Sequence, residues 1–96
     1  DQPSKIIDVR KVTEYQSEHL KMAKNAPLSD INAHLKLFSE TQDKVFIHCQ
    51  GGYRSMIAAS ILKSRGIHNF TEVRGGYAAL AKTQIPKTDY VCPSTL

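Results

Sequence analysis

Two cysteines, Cys49 and Cys92, are all that this chain of 96 residues contains, too few for the disulfide framework that holds small secreted domains together. A functional free thiol instead favours a reducing compartment. No apolar run approaches the roughly 20 residues needed to cross a bilayer, and no charged-then-apolar leader opens the chain. A soluble, cytoplasmic protein with no membrane partner is the expectation. Basic runs are missing as well. Lys and Arg are scattered between Lys5 and Lys87 and interrupted by acids, so the net charge of +4 reads as solvated surface and argues against nucleic acid as a partner. The histidines His19, His34, His48 and His68 show no ligand spacing of the His-x-x-x-His type with a carboxylate, so neither a metal nor another cofactor is expected. Repeats, low-complexity stretches and internal linkers are absent too.

What remains is the length and ordinary apolar content of one small globular domain, spanning residues 1–96, with room for a single core. The chain starts at Asp1 without methionine. It is therefore expected to be an excised domain or to carry a processed terminus, with neighbouring domains out of view.

Short apolar runs alternate with amphipathic segments. Lys5 to Val9 reads as a first strand and is followed by a short helix around Thr13 to Ser17. A short second strand runs from Ala23 to Ala26 and is ended by Pro27. Leu28, Ile31, Leu35 and Phe38 recur at spacings of three, four and three, which predicts one helix with Ser29 as its N-cap. Val45-Phe46-Ile47 reads as a buried strand. The helix after it carries Ile57, Ala58, Ile61 and Leu62 inward and stops at Gly66. Phe70 to Val73 is a last strand, and Tyr77 to Ala81 opens a final helix after Gly75-Gly76. This alternation implies an α/β fold with a parallel sheet and helices on both faces. In such sheets ligands sit at the carboxyl ends of the strands, where Cys49 falls.

The candidate site is the loop Cys49-Gln50-Gly51-Gly52-Tyr53-Arg54, with Ser55 following, set between a buried strand and a helix. Backbone N–H groups in such a loop converge on its centre and the helix N-terminus adds partial positive charge, so a cysteine thiolate there is stabilised. Arg54 adds a permanent cation. Gly51 and Gly52 are expected to supply positive φ angles and close backbone approach. A lone cysteine at a strand end is more often a small hydrophobe, and Gly-Gly more often a plain turn. The combination in one short loop favours function.

The same residues carry a family resemblance. From about Ile6 to Leu80 the chain resembles a rhodanese domain, through Asp8-Val9-Arg10, Glu14-Tyr15, His19, Asn25-Ala26-Pro27-Leu28, the loop Cys49 to Arg54 with Ser55, and Val73-Arg74-Gly75-Gly76-Tyr77. The resemblance implies a three-layer fold, with a mainly parallel sheet of about four to five short strands flanked by helices. It also implies transfer of a sulfane sulfur through a persulfide on Cys49. The donor would be a small anionic sulfur compound, thiosulfate or a low-molecular-weight persulfide, and the acceptor a thiol or cyanide. Three places depart from the family pattern, at Glu18, at Lys21-Met22 and at Leu80, all outside the loop. The strand and helix that normally open such a domain are not recognisable before Ile6. The loop and the ending Asp89 to Pro93 also look like rhodanese domains fused behind metallo-β-lactamase-fold persulfide dioxygenases. That implies a covalently fused neighbouring domain and a sulfur-relay role as the alternative to independent turnover.

Chemically, a Cys49 thiolate would attack the outer sulfur of a donor, and loop N–H groups would hold the persulfide until a second thiophile removes the sulfur. Arg54 would stabilise an anionic donor. Gln50 and Tyr53 are expected to face solvent, as acceptor-selecting groups or as loop filler. Asp8 and Arg10 are expected to support the neighbouring loop through an ion pair or hydrogen bonds. His48 is expected to pack on the face opposite Cys49. His19 and Arg74 are candidates for the rim of the cleft or for structure, and Cys92 is a resolving thiol or incidental. A cysteine phosphatase or arsenate reductase is the rival enzyme class, but four residues separate Cys49 from Arg54, whereas the phosphatase loop has five. The shorter loop suits a persulfide sulfur better than a tetrahedral phosphate.

Overall fold

The computed structural model describes residues 4–39 and 44–89. Its elements in chain order are β1 (Ser4–Asp8), α1 (Val12–Ser17), β2 (Ala23–Asn25), a 3-10 segment (Leu28–His34), α2 (Lys36–Ser39), β3 (Lys44–His48), α3 (Tyr53–Ser64), β4 (Phe70–Glu72) and α4 (Gly76–Leu80). The four strands form one sheet in the order β2-β1-β3-β4, and every pairing is parallel. This is the α/β architecture expected from the alternation of elements. Among the described residues no helix is long and apolar enough to cross a membrane.

Period-two alternation along the central strands builds a core on each face of the sheet. Ile7, Val9, Val45, Ile47 and Cys49 face one side, where Ile31, Phe38, Ala58, Ala59 and Leu62 close over them. Ile6 faces the other, with Leu20, Ala23, Tyr77 and Leu80. The β1–β3 register sets Ile7 opposite Ile47 and Asp8 opposite His48. Two polar side chains therefore share the second face directly beneath the loop that follows β3.

The buried side of α3 is narrow and small: Ser55, Ala58, Ala59 and Leu62. Small residues let the helix approach the sheet closely, which brings its N-terminus to the end of β3. Ile57, expected to point inward, is 37% exposed. It lies off the stripe set by Ala58 and Leu62. The helix stops as expected at Gly66, whose φ of 80° supports a Schellman closure, with Ile67 N–H donating to Leu62 O and Gly66 N–H to Lys63 O, both at 3.0 Å.

The stretch from Leu28 to Phe38 is not one helix. Its N-cap is Pro27 rather than Ser29, the first part is 3-10, and Asp30 leaves helical geometry at φ −116°. The apolar spacing is nonetheless used, since Ile31 and Phe38 are buried against the sheet. A 3-10 segment brings residues three apart over one another, which serves Leu28 and Ile31 without a continuous α-helix.

Candidate active site

Cys49 is the first residue beyond β3, at the carboxyl edge of the sheet, with only 1% of its surface exposed. Its Sγ accepts a hydrogen bond from Gly52 N–H at 3.0 Å, and the thiol lies 3.7 Å from the Ser55 hydroxyl. Burial alone pushes the thiol pKa up. The N–H groups of Ser55, Gly52 and Arg54, together with the Ser55 hydroxyl, outweigh burial and leave it below the ordinary thiol value. The loop is therefore a cradle whose donors favour a negative sulfur.

Gly52 caps α3 in the left-handed region at φ 105°, a conformation that suits glycine. Gly51 does not share it, and a Cβ there would meet nothing within 4 Å. Of the two glycines expected to supply positive φ, only Gly52 does. Tyr53 faces solvent at 72% exposure. Gln50 is exposed too, yet its Oε1 accepts a hydrogen bond from Arg10 Nη1 at 3.1 Å.

Arg54 is placed differently from expectation. Its guanidinium donates from Nη1 and Nη2 to the two carboxylate oxygens of Glu14 on α1, at 2.5 and 3.0 Å. That bidentate pair raises the Arg54 pKa further and holds Glu14 below the usual carboxylate range. Glu14 also accepts the Lys11 N–H at 3.1 Å, so one carboxylate ties the start of α1 to the loop. The Arg54 side chain is thus a strut between two helices. Sequence reasoning missed Glu14 as its partner, since 40 positions separate the two.

Beneath the loop, Asp8 and Arg10 form the expected ion pair. Arg10 Nη2 lies 2.9 Å from Asp8 Oδ2, and the Arg10 backbone N–H donates to Oδ1 at 2.9 Å. Arg10 then reaches outward to Gln50 and to the Glu18 carbonyl, and stacks over the Tyr77 ring at 4.3 Å. The Tyr77 hydroxyl donates to Glu18 Oε1 at 2.8 Å. Glu18, a departure from the family pattern, thereby anchors α4. His48 is fully buried on this face, as strand alternation predicts, with Nε2 3.8 Å from Asp8 Oδ2. Burial depresses its pKa, against an opposing pull from Asp8, so neutral imidazole is favoured and a packing role fits.

The turn into α4 clamps the loop base. Tyr77 N–H donates to Cys49 O at 2.6 Å, and Ala78 N–H to Gln50 O at 3.0 Å. The approach needs glycine, because a Cβ on Gly76 would collide with the Cys49 carbonyl. His19 stacks on Tyr15 with its ring nitrogen at the Tyr15 carbonyl, a structural placement. Arg74 is exposed beside the loop. Cys92 lies outside the described residues.

A parallel four-stranded sheet with a cysteine loop at its carboxyl edge defines an α/β protein whose loop donors converge on one buried cysteine. The family model described as Rhodanese-like domain matches residues 1–83. The chain belongs to that family. It is 32% identical to the "Uncharacterized protein YqhL" of Bacillus subtilis over 77% of this chain and 58% of that protein. It is 30% identical to the "Putative sulfur carrier protein YrkF" of the same organism, over 79% of this chain and 40% of that protein. The chain thus spans about half the length of these curated relatives. A solved structure described as a rhodanese with anions from E. coli superposes with a TM-score of 0.72 at 31% identity, covering 91% of this chain and 99% of that one.

Proposed function

We propose that this chain is a sulfurtransferase module that carries a sulfane sulfur on Cys49, taken from thiosulfate or a low-molecular-weight persulfide and passed to a thiol or cyanide. The observation that carries the reading is the surroundings of Sγ: a buried sulfur facing the Gly52 N–H and the Ser55 hydroxyl, with its pKa lowered by the loop donors. Membership of the rhodanese-like family and a relative named for sulfur carriage support it.

In the reaction, the Cys49 thiolate attacks the outer sulfur of the donor, and the donor leaves as sulfite or as a thiol. The charge of the resulting persulfide then lies among the same N–H groups that favoured the thiolate. Gly52 and Ser55 act on the sulfur directly. Arg54 and Glu14 hold the loop in shape, and Asp8 and Arg10 support it from below through Gln50.

Intact mass of the wild type and of Cys49→Ser, measured after thiosulfate or glutathione persulfide and coupled to cyanide-dependent thiocyanate release, tests the reading. The expected result is a gain of one sulfur atom that requires Cys49 and is discharged by cyanide. Absence of the adduct with both donors would sink it.

As a second reading, supported by the relative named as a putative sulfur carrier protein, we propose that this domain relays sulfur to or from a fused neighbouring domain. A longer protein in which Cys49→Ser abolishes sulfur delivery to the second domain would support relay, and unchanged delivery would refute it.

A further inference from the structure

The loop's built-in cation is already committed. Arg54 spends both terminal nitrogens on Glu14, so anionic groups of a donor must find another partner. Beside the loop lies a cavity of about 390 Å³ whose lining includes Gly52, Ser55, Met56, Glu72 and Arg74. Sites that enclose organic ligands begin at about 300 Å³. This cavity therefore has room for an organic molecule, well beyond what a four-atom oxyanion with one sulfur arm requires. Ser55 links it to the reacting atom, since its hydroxyl is 3.7 Å from Cys49 Sγ.

The charges at this cavity are of opposite sign and uncommitted. Arg74 and Glu72 are both exposed. Among the described residues the ion pairs are Arg10 with Asp8 and Arg54 with Glu14, and neither cavity residue takes part in one. Two side chains that stand two residues apart, at the last residue of β4 and just beyond it, and do not neutralise each other, suit a ligand that carries both charges itself. Met56, 52% exposed on the first turn of α3, adds a polarizable apolar contact for a methylene or sulfur.

We propose that this cavity recognises the organic part of an α-amino-acid persulfide, with the donor carboxylate on the Arg74 guanidinium and its ammonium group at Glu72. The inference rests on the sulfur-transfer reading above and names the donor class. With the amino-acid end held there, the persulfide arm extends past Ser55 to the loop. The Cys49 thiolate attacks the terminal sulfur of R–S–SH, and the new Cys49 S–S bond forms as the donor S–S bond breaks. The terminal sulfur keeps its proton, and RS⁻ departs and is protonated by water. No external oxidant or reductant is required, because the sulfane sulfur only changes carrier.

Three persulfides separate the two contacts: cysteine persulfide, N-acetylcysteine persulfide without the ammonium, and cysteamine persulfide without the carboxylate. Initial rates of Cys49 persulfidation would be followed by intact mass for wild type, Arg74→Ala and Glu72→Gln. Loss of one charge-assisted hydrogen bond predicts that Arg74→Ala raises the half-saturating concentration about tenfold for the two carboxylate donors. Cysteamine persulfide and the maximal rates should stay unchanged. Glu72→Gln should weaken the two ammonium donors and spare N-acetylcysteine persulfide. Variant effects that are equal across the three donors, or absent, would overturn the subsite while leaving sulfur transfer standing. Wild type that gains sulfur from thiosulfate but from none of the three persulfides would overturn this inference alone, and wild type that gains none from thiosulfate or glutathione persulfide either would overturn the sulfur-transfer reading with it.

Discussion

Ser55 does two things with one hydroxyl. Its oxygen accepts from the Cys49 thiol at 3.7 Å while its proton goes to the Gly52 carbonyl at 3.0 Å, and when Cys49 ionises that single proton can turn from the carbonyl to the sulfur. Its N–H also favours the thiolate, so Ser55→Ala removes one of two contributions from this residue. The Cys49 pKa is depressed, so alkylation by iodoacetamide should climb as pH rises through that lowered value and level off above it. In Ser55→Ala the midpoint should move up towards the ordinary thiol value. With a hydrogen bond to a charged group contributing about 1.5–3 kcal/mol, the alkylation rate at pH values below the wild-type midpoint should fall about tenfold or more. An unchanged midpoint would show that the backbone N–H groups carry the stabilisation alone. At this scale the place of Cys49 at the strand end and the loop around it were legible because both are local in the chain. The partner of Arg54 was not, because bidentate pairing with Glu14 depends on how α1 docks against α3, and neither residue's neighbours in the chain signal the other. The positive φ at Gly52 alone was likewise a matter of loop geometry, which Gly-Gly as a pair does not specify.

Among the elements, the β4–α4 turn matters most to the loop because it supplies N–H donors to the carbonyls of Cys49 and Gln50. Gly75 and Gly76 both take positive φ there, at 82° and 58°. A methyl on Gly76 would strike the Cys49 carbonyl and sit 2.8 Å from Gln50 backbone atoms, so relief must come from moving the loop or the helix. Gly76→Ala should therefore destabilise the fold by about 1–3 kcal/mol, the usual range for a strained backbone site, readable as a shift in the urea unfolding midpoint. Its Cys49 should also alkylate more slowly at pH values below the wild-type midpoint, even where the chain remains folded. Unaltered stability and reactivity would mean that the clamp contributes nothing. The strands were readable from sequence because apolar pairs such as Ile6-Ile7 and Phe46-Ile47 serve both faces of a buried parallel sheet. The segment after Pro27 was misread for a physical reason. Spacings of three and four fix which residues turn inward, as Ile31 and Phe38 do, but a 3-10 segment broken at Asp30 satisfies them as well as an α-helix does.

Taken as one body, the molecule carries its chemistry at the carboxyl edge of a sheet buried on both faces, and a net charge of +4 around it. The ion pair Arg54–Glu14 is internally neutral and Arg10 is answered by Asp8, so the attraction for an anion comes from the uncompensated surface cations, with Arg74 among those nearest the cavity. Such a field acts through solvent and is screened, over about 30 Å at 0.01 M salt but only about 8 Å at 0.15 M. Thiosulfate carries two negative charges, whereas cysteamine persulfide, attacked with its terminal sulfur protonated, carries no anionic group for the field to draw in. Raising ionic strength across that range should therefore slow Cys49 persulfidation by thiosulfate several-fold, in the manner of other steered encounters, and leave the cysteamine donor nearly unaffected. Stopped-flow mixing followed by mass analysis would measure both. An equal salt response for the two donors would place the selectivity wholly in short contacts at the cavity, with no part played by the charge of the whole molecule.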